Sequence, residues 1–167
     1  SREWLFLLHQ AHLIDQEEEW EEFSLTQPIT VEHKGSFLSG IPAEEFRIGY
    51  FYFHPEVGEF WVEFAGGEKA YEEEIAPART FTTESDLIAL QKAGWVLNPP
   101  PECGILFRQK VPHIPLRFPD EPARHKILDA LGDFYLFPKR IKCLVLAFQS
   151  GHSLNHQWIK SLFSATL

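Results

Sequence analysis

The stretch "ARHKILDALGDFYLFPKRIKCLVLAF", residues 123–148, places a helix directly before a strand. In its first part Ile127, Leu128, Leu131 and Phe134 recur at helical spacing and mark apolar surface for a core. Its last part, "IKCLVLAF" (141–148), is a continuous apolar run of strand length, with Pro138 as the break before it. A helix feeding a buried strand requires helices laid on a sheet. The helix also carries polar residues where a plain packing element has none. His125, Asp129 and Asp133 fall at i, i+4 and i+8 and stack on one face. Gly132 lies beside them. Glycine inside a helix costs about 1 kcal/mol relative to alanine, which points to a close approach there or to tight helix–sheet packing.

Working outward, the spacing predicts a helix over 121–137, capped by Asp120 with Pro122 in its first turn. A last helix is predicted over about 151–164, capped by Ser150. Upstream, "ESDLIALQKAG" (84–94) reads as a helix closed by Gly94, and "CGILF" (103–107) as a strand. Strands are predicted at "PITVEH" (28–33), at "EEFRIGYFYF" (44–53), apolar on both faces and hence central, and at "EFWVEF" (59–64), with Phe60, Val62 and Phe64 inward. Residues 2–14 have helical periodicity, with Trp4, Leu7, Leu8 and Ala11 on one side. The charge run "DQEEEWEEFS" (15–24) reads as a solvated linker. The fold class is α+β: a two-layer sandwich of a mixed sheet with helices on one face.

With 167 residues, 44% of them hydrophobic and 14% aromatic, the chain can build a well-packed domain. A net charge of −9 disfavours nucleic acid or an anionic membrane as the main partner. Two distant cysteines make no disulfide framework, so the cytoplasm is the expected compartment. No apolar run is long enough to span a bilayer, and no signal peptide is visible. The chain begins at Ser1 and lacks methionine, as expected of a fragment or a processed product.

Three short segments carry chemistry. A His and an Asp at i, i+4, here His125 and Asp129, can bind one metal ion from one helical face, although many such pairs are surface hydrogen bonds. In "SGHSLNH" (150–156), His152 sits in a first helical turn. If Asp133 reaches it, the pair can hold a proton for general-acid work, and the plainer alternative is a histidine satisfied by backbone. In "ARTF" (78–81), a Thr80 hydroxyl beside Arg79 can stabilise oxyanion charge, but the segment means little alone.

Together, "PARTF" (77–81), "RHKILDALGD" (124–133) and "SGHSLN" (150–155), in this order and at these distances, resemble the zinc-dependent UDP-3-O-acyl-N-acetylglucosamine deacetylases of bacterial lipid A synthesis. "FLLHQAHLIDQ" (6–16) resembles the end of that family's first domain, and His54-Pro55 matches a His-Pro pair of its second. The resemblance implies that residues 1–16 end a first domain absent here, that 17–27 form an acidic linker, and that 28–167 form a C-terminal α+β domain. It implies His125 and Asp129 as ligands of Zn2+, and His152 as the catalytic histidine, oriented by Asp133. Thr80 would hold the oxyanion and Lys126 the polar part of a UDP-linked acylated amino sugar. Phe81 would line the acyl passage with Leu90, Leu97 and Ile105.

The family's third zinc ligand and general base are a His and a preceding Glu on an apolar helix of the first domain. Glu32-His33 lies in a strand-like segment and does not replace them, so this chain alone is expected to be inactive. Gln149 replaces a basic residue, and "NPPPEC" (98–103) a glycine-rich turn. The alternative is a stand-alone module that binds a nucleotide sugar or a protein partner.

Overall fold

The computed structural model describes residues 2–11, 14, 18–95 and 102–165. The expected layers are present. The central strand is β9 (Arg140–Phe148), in which Ile141, Cys143, Val145 and Ala147 are buried alternately, as the period of two requires. On one side β9 pairs antiparallel with β3 (Ser36–Pro42), which pairs in turn with β2 (Ile29–His33). On the other it pairs parallel with β4 (Arg47–His54), which continues into β5 (Gly58–Phe64). The register aligns Val31, Leu38, Ala147, Tyr50 and Val62 in one inward row.

Two helices cover that row. From α4 (Glu121–Phe134) come Ile127, Ala130 and Phe134. From α5 (His152–Ala165) come Leu154, Trp158, Ile159 and Leu162. Trp158 is fully buried, donates its indole N–H to the Ile29 carbonyl at 3.0 Å, and lies flat on β3 because residue 40 is glycine. A Cβ there would sit 2.6 Å from the Trp158 ring and 2.7 Å from Leu25.

Among the described residues the opposite face of the sheet carries no helix. Its row Phe37, Phe148, Phe51 and Trp61 is held by ring stacking, with centroids 5.8 Å apart for Phe37–Phe148 and 5.4 Å for Phe51–Phe148. The apolar second face expected of residues 44–53 is therefore real, but its partners are cross-strand rings and not a second layer.

A smaller sheet carries the rest. In it β6 (Thr80–Thr83) pairs parallel with β7 (Gly104–Arg108), and β7 antiparallel with β8 (Val111–Pro112). Between β6 and β7 runs α3 (Glu84–Lys92), whose N-cap is the Thr83 side chain accepting from Asp86 N–H. Gly94 closes it in the left-handed region at φ +86°. This sheet packs over its own small cluster of Val57, Ile105 and Phe107.

Several expectations need correction. α4 stops at Phe134, because Tyr135–Phe137 leave the helix in tight turns before Pro138. Asp120 does not cap it by side chain, since its carboxylate is engaged by Arg124 at 2.6 Å. Ser150 does not cap α5 either. Its buried hydroxyl finds no partner among the described residues, and the Gly151 carbonyl receives the first helical N–H groups. Finally, the acidic run ends in a strand, β1 (Glu22–Ser24), paired parallel with the start of β9. Lys139 and Lys142 neutralise it, bonding Glu21 at 2.8 Å and Glu22 at 2.5 Å.

The first helix, α1 (Arg2–Gln10), ends earlier than residue 14, and a single short turn, α2 (Glu68–Ala70), follows β5. Its Leu7 and Leu8 are exposed, with Phe6 beside them, and His9 reaches Glu72 at 2.7 Å. The Trp4 side chain lies outside the described residues. No helix among the described residues is long and apolar enough to cross a membrane.

Gly40→Ala is expected to destabilise the chain by about 1–3 kcal/mol through overpacking against Trp158, read as a lower denaturant midpoint at constant slope.

Candidate functional site

The site begins with a buried ion pair. Glu121, at the start of α4, is fully buried. Arg79 bonds it through its backbone N–H at 3.0 Å and through Nε and Nη2 at 2.8 and 2.9 Å. Arg117 adds its own N–H at 2.6 Å and ties its guanidinium to the Pro77 carbonyl. Burial pushes the Glu121 carboxyl up, but the donors from Arg79 and Arg117 outweigh it and hold the group below its ordinary 4.5. This clamp fixes the segment 77–81 against α4.

Two consequences follow for the polar column. The Ala78 carbonyl faces His125 Nδ1 at 3.4 Å, and the Phe81 ring stands edge-on to the imidazole with centroids 6.3 Å apart. A carbonyl only accepts, so His125 carries its proton on Nδ1 and presents the Nε2 lone pair on its other side. There it meets Asp129 Oδ1 at 3.4 Å. Burial lowers the imidazole pKa and outweighs the pull of Asp129, so the ring is neutral at pH 7. Two lone-pair atoms thus face each other at a distance a divalent cation bridges. Tetrahedral N and O ligands at roughly 2.0–2.2 Å lie roughly 3.3–3.5 Å apart. The other Asp129 oxygen is taken by Lys126 Nζ at 3.1 Å, and that ammonium also lies 5.6 Å from the Phe81 ring centroid.

One turn on, about 6 Å along the axis, Asp133 is buried among three polar side chains. Its Oδ2 accepts from His152 Nδ1 and from Asn155 Nδ2, both at 2.8 Å, and its Oδ1 accepts from His156 Nε2 at 3.0 Å. The expected Asp133–His152 pair is therefore formed, and the His152 side chain is largely exposed. Asn155 and His156 escaped the sequence reading, although they stand at i+3 and i+4 from His152, the same spacing that revealed the α4 column.

Asp133, His152 and His156 also bring ligand-capable atoms within 4.8 Å of one another and make a possible metal site. Each of these contacts is already a hydrogen bond, so a cation there must displace protons. Between His125 and Asp129 it displaces none.

The remaining expected residues fall as follows. Thr80 opens β6 with its side chain exposed. Ile105 is buried under Phe81 in the small cluster, and Leu90 is exposed on α3. Leu97 and Pro99–Pro101 lie outside the described residues. Gln149 turns the chain from β9 into α5 in the left-handed region, φ +49°, and its N–H bonds the Phe51 carbonyl. Gly132 is exposed, and a Cβ there meets nothing within 4 Å among the described residues, so packing against the sheet does not account for it.

The family model LpxC, UDP-3-O-acyl N-acetylglycosamine deacetylase, matches residues 1–164. The UDP-3-O-acyl-N-acetylglucosamine deacetylase of Chlamydia pneumoniae is 33% identical over 164 residues, covering 95% of this chain and 58% of that protein. That of Chlamydia abortus is 32% identical over 160 residues, covering 93% and 57%. That of Chlamydia trachomatis serovar D is 34% identical over 154 residues, covering 89% and 54%. The chain thus spans somewhat more than half the length of the curated relatives it matches.

The clamp has a pH signature. A carboxyl held below 4.5 in the fold contributes stability that is complete above 4.5 and lost as pH falls through its lowered value. Glu121→Gln is expected to cost on the order of 3 kcal/mol at pH 7. The gap in melting temperature to wild type should narrow below pH 4.5, read by thermal melts across pH 3–7.

Proposed function

The chain belongs to the UDP-3-O-acyl N-acetylglycosamine deacetylase family, and from that premise we propose that it forms the C-terminal part of a zinc-dependent amidohydrolase of lipid A synthesis. The substrate is a UDP-linked, 3-O-acylated N-acetylglucosamine, and the enzyme acts in the cytoplasm. Residues 28–167 form the domain that carries the site, residues 17–27 link it, and residues 1–16 belong with a first domain that supplies the third zinc ligand and the general base. The exposed apolar residues Phe6, Leu7 and Leu8 of α1 support that assignment.

The observation that carries the reading is the pair of facing lone-pair atoms on His125 and Asp129, one helical turn from a histidine already bonded to a buried carboxylate. His125 and Asp129 hold the zinc. Bound there, the metal supplies Lewis acidity that makes water a competent nucleophile near neutral pH. The Ala78 carbonyl keeps His125 in the tautomer whose Nε2 is free to ligate, and Lys126 orients Asp129 from the opposite oxygen.

As water adds to the acetamide carbonyl, the Thr80 hydroxyl donates to the developing oxyanion. His152 then delivers a proton from Nε2 to the amine nitrogen as the C–N bond breaks, releasing acetate. Asp133 holds the opposite ring nitrogen throughout and stabilises the charged imidazole. Phe81 guides the acyl chain toward the apolar side of the site, together with the 84–107 region. Lys126 faces the nucleotide-bearing part of the substrate.

In the full-length protein, His125→Ala is expected to lower bound zinc and abolish deacetylation. His152→Ala should keep the zinc and lose roughly 10²–10⁴-fold in kcat. Metal analysis beside steady-state assays of both variants decides the matter, and full turnover with full zinc in His125→Ala would overturn the reading.

A further inference from the structure

We propose that His156 is a positioning residue for His152, acting through Asp133. The inference rests on the functional reading above for its catalytic consequence, but its geometric core stands on the contacts of one carboxylate. Residues 152, 155 and 156 lie on one face of α5, at i, i+3 and i+4, and all three donate to Asp133. The donors are divided unequally. Oδ2 takes both His152 and Asn155, while among the described residues Oδ1 takes His156.

That division matters because a carboxylate rotates about its last bond and its two oxygens are chemically equivalent. Asn155 is almost fully buried and cannot follow such a rotation. His152 is the opposite case: its side chain is 64% exposed, and the direction of its ring is set by the bond to Asp133, with, among the described residues, only the tilted His156 ring, 6.3 Å away between centroids, beside it. With His156 on Oδ1, the carboxylate plane is pinned at both ends and Oδ2 stays aimed at His152 Nδ1. Without it, Oδ1 is a partly buried acceptor lacking a donor, and rotation toward water draws Oδ2 away from the exposed ring. The Nδ1–H bond that aims the His152 ring, and with it the Nε2 edge that delivers the proton to the leaving group, then depends on a histidine that itself touches no substrate.

The test reads the linkage directly by imidazole nitrogen NMR on the full-length protein, with kinetics alongside. In wild type His152 should show a single tautomer, protonated on Nδ1. In His156→Ala it should show a mixture of the two, and kcat should fall about tenfold with KM changed less than twofold. His156→Gln, whose amide can donate to the same oxygen, should recover the single tautomer and most of kcat. A locked Nδ1–H tautomer with unchanged kcat in His156→Ala overturns the proposal. Loss of one bound zinc equivalent in that variant overturns it too, because His156 is then a ligand. The wild-type assay separates the two claims: no deacetylation by the full-length wild type overturns the deacetylase reading, whereas the nitrogen spectra report the Asp133 linkage in either case.

Discussion

The arrangement depends on one buried carboxylate. Glu121 accepts from the Arg79 guanidinium and from two backbone N–H groups, so that a segment 42 residues upstream is held against the first turn of α4. A fully buried carboxylate left unpaired would cost several kcal/mol, and that cost makes the contact all-or-none. Its product is positional. Ala78 is placed where its carbonyl sets the His125 tautomer, and Phe81 where its ring walls the column. Arg79 is thus committed to structure.

α4 resolves a conflict between packing and polarity by dividing its circumference. Ile127, Ala130 and Phe134 enter the core beneath the sheet. His125, Asp129 and Asp133 occupy another side, mostly shielded from water yet short of the core. The two halves of the column differ in how their lone pairs are used. Around Asp133 each carboxylate oxygen meets a proton, as a buried polar group should. Between His125 and Asp129 two acceptors face one another, an arrangement that asks for a cation.

Much of this was legible in the chain because the decisive patterns are local. The 3.6-residue spacing of α4 and the apolar run of β9 announced both the layers and the polar column. What stayed hidden is mostly non-local. The Arg79–Glu121 pair spans a separation that leaves no periodic trace. β3 went unread because Ser36, Ser39, Gly40 and Pro42 have poor strand propensity. It forms because Lys34 and Gly35 turn the chain at positive φ and because Gly40 gives Trp158 a flat seat. β1 was masked by its glutamates, whose charge is offset only once Lys139 and Lys142 arrive from β9. Asn155 and His156 were readable by the logic already applied to α4 and were missed for want of applying it to α5.

If the facing lone pairs hold the cation, it belongs between His125 and Asp129, while Asp133, His152 and His156 form a hydrogen-bonded unit. Anomalous diffraction recorded on both sides of the zinc absorption edge, from crystals of the full-length protein at one equivalent of zinc, tests this most directly. The account predicts a single peak within ligand distance of His125 Nε2 and an Asp129 oxygen. A peak among Asp133, His152 and His156, with none at the first position, would contradict it.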